Sequence, residues 1–216
     1  RDLHSFPTRR SSDLRLKGTG SIDAPYKTIQ TALINGYKQS AVIFVRVLEG
    51  TYSGEGNTNL TVASSLDITI VGDGRNKTLI DGKDVDWFLN VATGNGIVKV
   101  ANMTVANVTM NYVDAKKYNQ HPAISIENGA VISIENMEFI RCHGTEGGAI
   151  FNEGTMSVKD SLFFNNGDSN NGGAIKNMGT LTVYSSEFIA NHAKYYATIY
   201  NDGEMFLYDS LIQDSM

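Results

Sequence analysis

The sequence predicts an all-β fold, a right-handed parallel β-helix with a short N-terminal capping helix. Three observations carry that expectation. The stretch GGAIFNEGTMSVKDSLFFNN at Gly147 returns as GGAIKNMGTLTVYSSEFIAN at Gly172, and more loosely as YATIYNDGEMFLYDSLIQDS at Tyr196. Repeats of this length mark one supersecondary unit stacked on copies of itself. Within each copy aliphatic residues alternate with polar ones, which is the period of a strand. Between the copies no segment offers about ten residues of amphipathic helix, so a βαβ arrangement lacks its crossover. A propeller blade would need about 40 residues, and the leucine-rich frame is missing.

The opening RDLHSFPTRRSSDL stands apart from the rest. Back-translated in one frame, it matches a widely used short-read sequencing adapter, so Arg1–Leu14 reads as an assembly artefact and is set aside. The expected domain is then one β-helix over residues 15–216, a fragment of a longer product. Without the leader's three basic and two acidic residues the net charge is −6. A mildly acidic chain with no Lys/Arg cluster argues against nucleic acid or an anionic membrane as partner. No apolar run approaches the ~18 residues of a membrane span.

SIDAPYKTIQTALINGYKQS reads as the capping helix, with Pro25 suited to its start and Ile29, Ala32, Leu33 and Gly36 on one face. Such a helix would cover the open end of a stack whose backbone groups are otherwise unpaired. AVIFVRVLEGTYS, NLTVASSLDITIVGDG and TLIDGKDVDWFLNV then give strands between Gly turns.

The repeats align on Gly129, Gly154, Gly179 and Gly203. Met156 and Val158, Leu181 and Val183, and Met205 and Leu207 follow at two and four residues; Ile132 and Ile134 fall one residue late. Phe163, Phe188 and Ile212 recur further on, with Phe139 again one late, and Ile150, Ile175 and Ile199 precede the anchors. In a coil stacked at ~4.8 Å on its neighbour, these become ladders of like side chains. Asn152, Asn177 and Asn201 form one expected column, and Asn166 and Asn191 another, their amides bonding along the axis and their backbones suited to left-handed bends. Gly148 and Gly173 mark a tight corner. About seven or eight coils are expected. The lone Cys142 shares the Asn166/Asn191 column and reads as a small buried apolar residue where that ladder ends; it excludes an intrachain disulfide.

From Gly96, Val98, Val100 and Val105 follow the same frame, but Gly129 comes eight residues late. The surplus projects as a loop, NYVDAKKYNQHP, with Tyr112, Tyr118 and His121 as the first surface to consider for binding. A plain solvated insertion is nonetheless the preferred reading.

Several constellations bear on chemistry. Asp81, Asp84 and Asp86 in DGKDVD are the densest acidic group, and turn solvation accounts for them better than calcium binding would. Arg141 beside His143 is the one basic pair near the coils. A glycosidase needs two carboxylates across the scissile bond, a lyase an acidic metal cluster and a base. Of the polygalacturonase-like pattern NTD, DD, GHG and RIK only His143–Gly144 is present. GDGRNK lacks the ending of a phosphate-binding loop. Asn59, Asn76, Asn102 and Asn107 open N-x-T triplets, which are glycosylation acceptors on a secreted chain. No catalytic, cofactor or metal residue is assigned.

DAPYKTIQTAL, VRVLEGTYSGEGNTNL and ITIVGDGRNKTLIDG resemble the N-terminal part of pectin-lyase-like β-helix proteins. GGAI with FFNN and FIAN resembles the GGA[ILV] and FxxN repeats of chlamydial polymorphic membrane proteins. From Gly18 to Met216 the chain is similar to the adhesin-like surface proteins of gut methanogenic archaea, which join both features. The resemblance implies a non-catalytic, secreted or surface-displayed scaffold whose partners are glycans or host and neighbouring cells. A carbohydrate-active β-helix enzyme and a purely structural spacer are the alternatives.

Overall fold

The computed structural model describes residues 18–38, 42–63, 65–109, 121–168, 170–195 and 198–213. The leader at 1–14 lies outside them. The chain winds as a right-handed parallel β-helix. Its first coil holds β1 (Val42–Val47), β2 (Gly50–Tyr52) and β3 (Leu60–Ala63), and its second β4 (Asp67–Gly72), β5 (Thr78–Asp81) and β6 (Leu89–Ala92). The third holds β7 (Ile97–Ala101), β8 (Thr104–Thr109) and β9 (Ile124–Ile126); the fourth holds β10 (Val131–Glu135), β11 (Glu138–Gly144) and β12 (Ile150–Asn152). In the fifth are β13 (Thr155–Lys159), β14 (Leu162–Phe164), β15 (Gly167–Asp168) and β16 (Ile175–Asn177). The sixth repeats this with β17 (Thr180–Tyr184), β18 (Glu187–Ile189), β19 (His192–Ala193) and β20 (Ile199–Asn201), before β21 (Glu204–Tyr208) and β22 (Leu211–Gln213) begin a seventh. Six coils are complete, fewer than the repeat spacing led us to expect.

Each strand pairs in parallel with its equivalent one coil away, giving three sheets that run along the axis: β1-β4-β7-β10-β13-β17-β21, β2-β5-β8-β11-β14-β18-β22, and β3-β6-β9-β12-β16-β20. The expected ladders are present in register. Ile132, Met156, Leu181 and Met205 form one column, and Ile150, Ile175 and Ile199 another. Phe139, Phe163 and Phe188 stack face to face, with centroids 4.9 and 4.6 Å apart. Burying a side chain of this kind contributes about 1.5–3 kcal/mol, and nearly every inward position is filled in this way.

The register corrects the anchor in the fourth coil. Val131 pairs with Thr155, so Ala130, not Gly129, stands in the column of Gly154, Gly179 and Gly203. That explains the one-residue displacement of Ile132 and Phe139. A β-carbon on Gly179 would sit 2.1 Å from the Gly154 carbonyl oxygen, and one on Gly203 as close to that of Gly179. Close approach of successive backbones, not a special φ, demands glycine here.

The Asn columns are also sharper than expected. Asn152 Nδ2 donates to Asn177 Oδ1 at 2.6 Å, and Asn177 Nδ2 to Asn201 Oδ1 at 2.6 Å. Asn166 Nδ2 donates to Asn191 Oδ1 at 2.9 Å, and Asn166 Oδ1 accepts from the Cys142 backbone N–H. None of these inward Asn residues is left-handed. Apart from Asn59, Lys83 and Asp84, the non-glycine residues of positive φ fall in two other columns: Asn102, Asn136, Asp160, Ser185 and Asp209 after the first sheet, and Asn107, Arg141, Asn165 and Ala190 along the second. An αL residue turns the chain while aiming its N–H along the axis, and the Asn136, Asp160 and Ser185 amides donate to the next coil. Beside the first bend lies a serine ladder that the sequence analysis missed. Ser161, Ser186 and Ser210 each accept from the backbone N–H of the preceding coil.

The capping helix, α1 (Ile29–Tyr37), starts later than Pro25 suggested. Thr28 is its N-cap, its hydroxyl accepting from the Thr31 N–H at 3.2 Å, a stronger start signal than a proline three residues upstream. Ile29 and Leu33 enter the core against β1, whose inner residues Ile43, Val45 and Val47 have no coil beneath them yet are buried. At the opposite end Met205, Leu207 and Ile212 continue the inward columns and are 37–44% exposed.

Asn177→Ala should orphan buried amide groups in two coils at once and lower stability by about 2–4 kcal/mol. Asn201→Ala, at the exposed end of the same column, should cost less than half as much. Urea midpoints measure both, and equal effects would show that the ladder contributes nothing beyond its location.

Candidate functional site

Strand alternation that fills the interior also fixes what faces out. On the first sheet the outward columns run Phe44–Thr69–Lys99 and Arg46–Val71–Ala101–Glu135. The small Val71 and Ala101 sit between longer neighbours, so the surface dips into a shallow groove of about 410 Å³ lined by Phe44, Thr69, Val71, Lys99, Ala101, Asn102 and Glu135. Phe44 forms one wall and is 68% exposed. Lys99 and Glu135 form the other, Nζ to Oε2 at 2.5 Å. Arg46 is drawn away from the floor by Asp73, to which its Nε donates at 2.8 Å.

The Lys99 hydrogen bond, followed by that ammonium's charge, holds the Glu135 carboxyl below the ordinary carboxylate range. The groove therefore presents an aromatic face, an apolar floor, an ammonium and a carboxylate on a rigid sheet. That combination suits a saccharide ring, which has C–H faces and hydroxyl edges. Among the described lining residues only Glu135 is acidic, whereas glycosidic cleavage uses a pair of carboxylates.

Of the residues singled out in the sequence, Asp81 and Arg141 are linked through the Asn107 amide and Asp84 lies close enough to His143 to act on its charge, but they do not gather into one site. Tyr112 and Tyr118 lie outside the described residues. His121 packs against Trp87 with ring centroids 4.5 Å apart and planes tilted by 39°, and burial lowers its pKa. Asp81, Asp84 and Asp86 do not converge on a point; each turns to its own partner. Asp81 accepts from the Asn107 amide, Asp84 from the Thr109 hydroxyl, and Asp86 from Thr58 and Asn59. They staple their turn to the coils on either side, which corrects the expectation of simple turn solvation. Among the described residues no group of three His, Cys, Asp or Glu is placed to hold a metal ion.

The Arg141 Nε donates to the side-chain oxygen of Asn107 at 2.9 Å, while His143 faces outward two residues later. Of the four N-x-T asparagines, Asn59, Asn102 and Asn107 have their amides engaged across coils, and Asn76 is exposed in a turn. Cys142 is fully buried between Val108 and Asn166, as expected of a small apolar residue ending the Asn ladder.

The groove itself escaped sequence reading. Its one available signal was Phe44 in VIFVRV, an aromatic at an outward position of an alternating strand. Compared with known proteins, the chain matches no family model, no curated protein and no solved structure.

Burial pushes the Cys142 thiol up to about 12. Because the thiolate is the reactive form, native protein at pH 8 should leave Cys142 unmodified by a disulfide reagent over hours. Full labelling should appear only with unfolding in denaturant; rapid native labelling would contradict the buried placement.

Proposed function

We propose that this chain is a non-catalytic, adhesin-like β-helix scaffold, displayed outside the cell, that contacts glycans through the outer face of its first sheet. The observation that carries the proposal is the groove at Phe44. It places an exposed aromatic ring and a charged pair on a face held rigid by stacked coils, so little order is lost on binding. The likeness of the repeats to those of archaeal adhesin-like and chlamydial surface proteins supports the same reading. Its acidic charge favours neutral or amine-bearing sugars over polyanionic ones.

The groove is lined chiefly by strand residues of four successive coils, so the contact surface is shallow and runs along the axis. Such a face fits an extended chain of sugar units better than a single terminal residue.

A glycan array probed with the purified chain tests the reading. Binding to a subset of oligosaccharides is expected, weakened at least about 10-fold by Phe44→Ala and by Lys99→Ala with no change in the β-sheet spectrum. A structural spacer would give no signal, and binding indifferent to Phe44→Ala would place the contact elsewhere.

A further inference from the structure

We propose that His143 and His192 form a two-imidazole chelate for a divalent transition metal of the zinc, nickel or copper class, closed over the glycine that separates them. The register creates the arrangement. His143 pairs with Gly167, and Gly167 with His192, so the two histidines occupy one outward column on the fourth and sixth coils. Two strands apart means roughly 9.6 Å between their backbones, too far for most side chains in such a column to meet. Gly167 removes the obstacle. Both rings fold over it until their centroids are 5.8 Å apart at a tilt of 51°.

The convergence involves ring nitrogens. A β-carbon on Gly167 would lie 2.6 Å from His143 Nδ1 and 2.7 Å from His192 Nε2. One nitrogen of each ring therefore lies within 2.7 Å of a shared point. That point is a bond length from the Gly167 Cα, so a cation would sit outside it, clear of the backbone, with rotation of the His192 ring closing both metal–imidazole bonds to about 2.0–2.1 Å. His192 is exposed and has room to swing.

Charge favours the same outcome. Burial first, then the neighbouring His192, lowers the His143 pKa, while Asp84 opposes this. Ligation requires the neutral imidazole, and the direction of this shift favours it. Two imidazolium rings at this distance repel each other, whereas one cation accepted by both neutral rings does not. Nitrogen donors select against calcium and magnesium, and affinity should rise from zinc and nickel to copper. Among the described residues no third His, Cys or carboxylate completes the shell, so water fills the remaining positions and the metal stays exchangeable. Joining coils four and six, the ion would clamp the stack across the fifth.

The test uses the full chain with His4→Ala and His121→Ala, which leaves two of its four histidines. Titrated with Cu²⁺, it should bind one equivalent, and its electron paramagnetic resonance spectrum should show splitting from two nitrogens. Replacing either remaining histidine with alanine should weaken binding at least about 10-fold and leave one-nitrogen splitting. His192→Ala is the informative variant, because an exposed side chain can be removed without disturbing the coils. Gly167→Ala, which fills the shared point, should also abolish the two-nitrogen signal. An affinity unchanged by His192→Ala, or no stoichiometric binding in the two-histidine chain, would overturn the proposal.

Discussion

Every feature of this molecule depends on one constraint, the hydrogen-bonded registration of each coil on the next at strand spacing. Once Val131 lies beside Thr155 and Thr155 beside Thr180, each inward side chain has a fixed neighbour above and below. A residue of the wrong size then leaves a void or a clash in two coils at once, because interiors pack at crystalline density. Like therefore stacks on like. Buried amides obey the same rule: Asn177 is satisfied because Asn152 and Asn201 stand on either side of it. An amide in such a column is satisfied by its copies and by backbone carbonyls that the same register brings beside it, so the polar ladders depend on register as the apolar ones do.

The exceptions follow from the same constraint. Cys142 ends the Asn166/Asn191 column, and Val108 continues it into the preceding coil. Cys142 needs no amide partner of its own, yet its backbone N–H supplies the donor that the last asparagine requires. Ala130 replaces glycine in the tightest column, one coil before the carbonyl contacts at 2.1 Å begin. At the first coil, where no strand lies beneath β1, the apolar face of α1 supplies the cover that a coil supplies elsewhere.

The outer face is released from this discipline, and chemistry collects there. Both surfaces of interest arise where a small residue interrupts an outward column. Val71 and Ala101 lower the floor between Arg46 and Glu135 and create the groove. Gly167 lets two histidines lean together across a coil. In a solenoid, a concave site needs neither a long loop nor a domain junction. A missing side chain in a ladder of larger ones is enough.

The sequence by itself determined the solenoid, its capping helix and its inward ladders. Their signal is repetition of residue type at a nearly constant interval, and stacking turns repetition directly into contact. It also carried the identity of Cys142 as a ladder terminus. Only the tertiary structure decided the register in the fourth coil, because Gly129 and Ala130 compete for the anchor and pairing selects Ala130. The left-handed bends likewise fell on Asn102, Asn136 and their columns, since those residues, and not the inward amides, carry the turn. The acidic cluster proved to be three separate staples, and the Phe44 groove and the His143–His192 pair were invisible beforehand. Each depends on which outward residues become neighbours across coils 24 to 34 positions apart, and irregular coil lengths hide that correspondence from a linear reading.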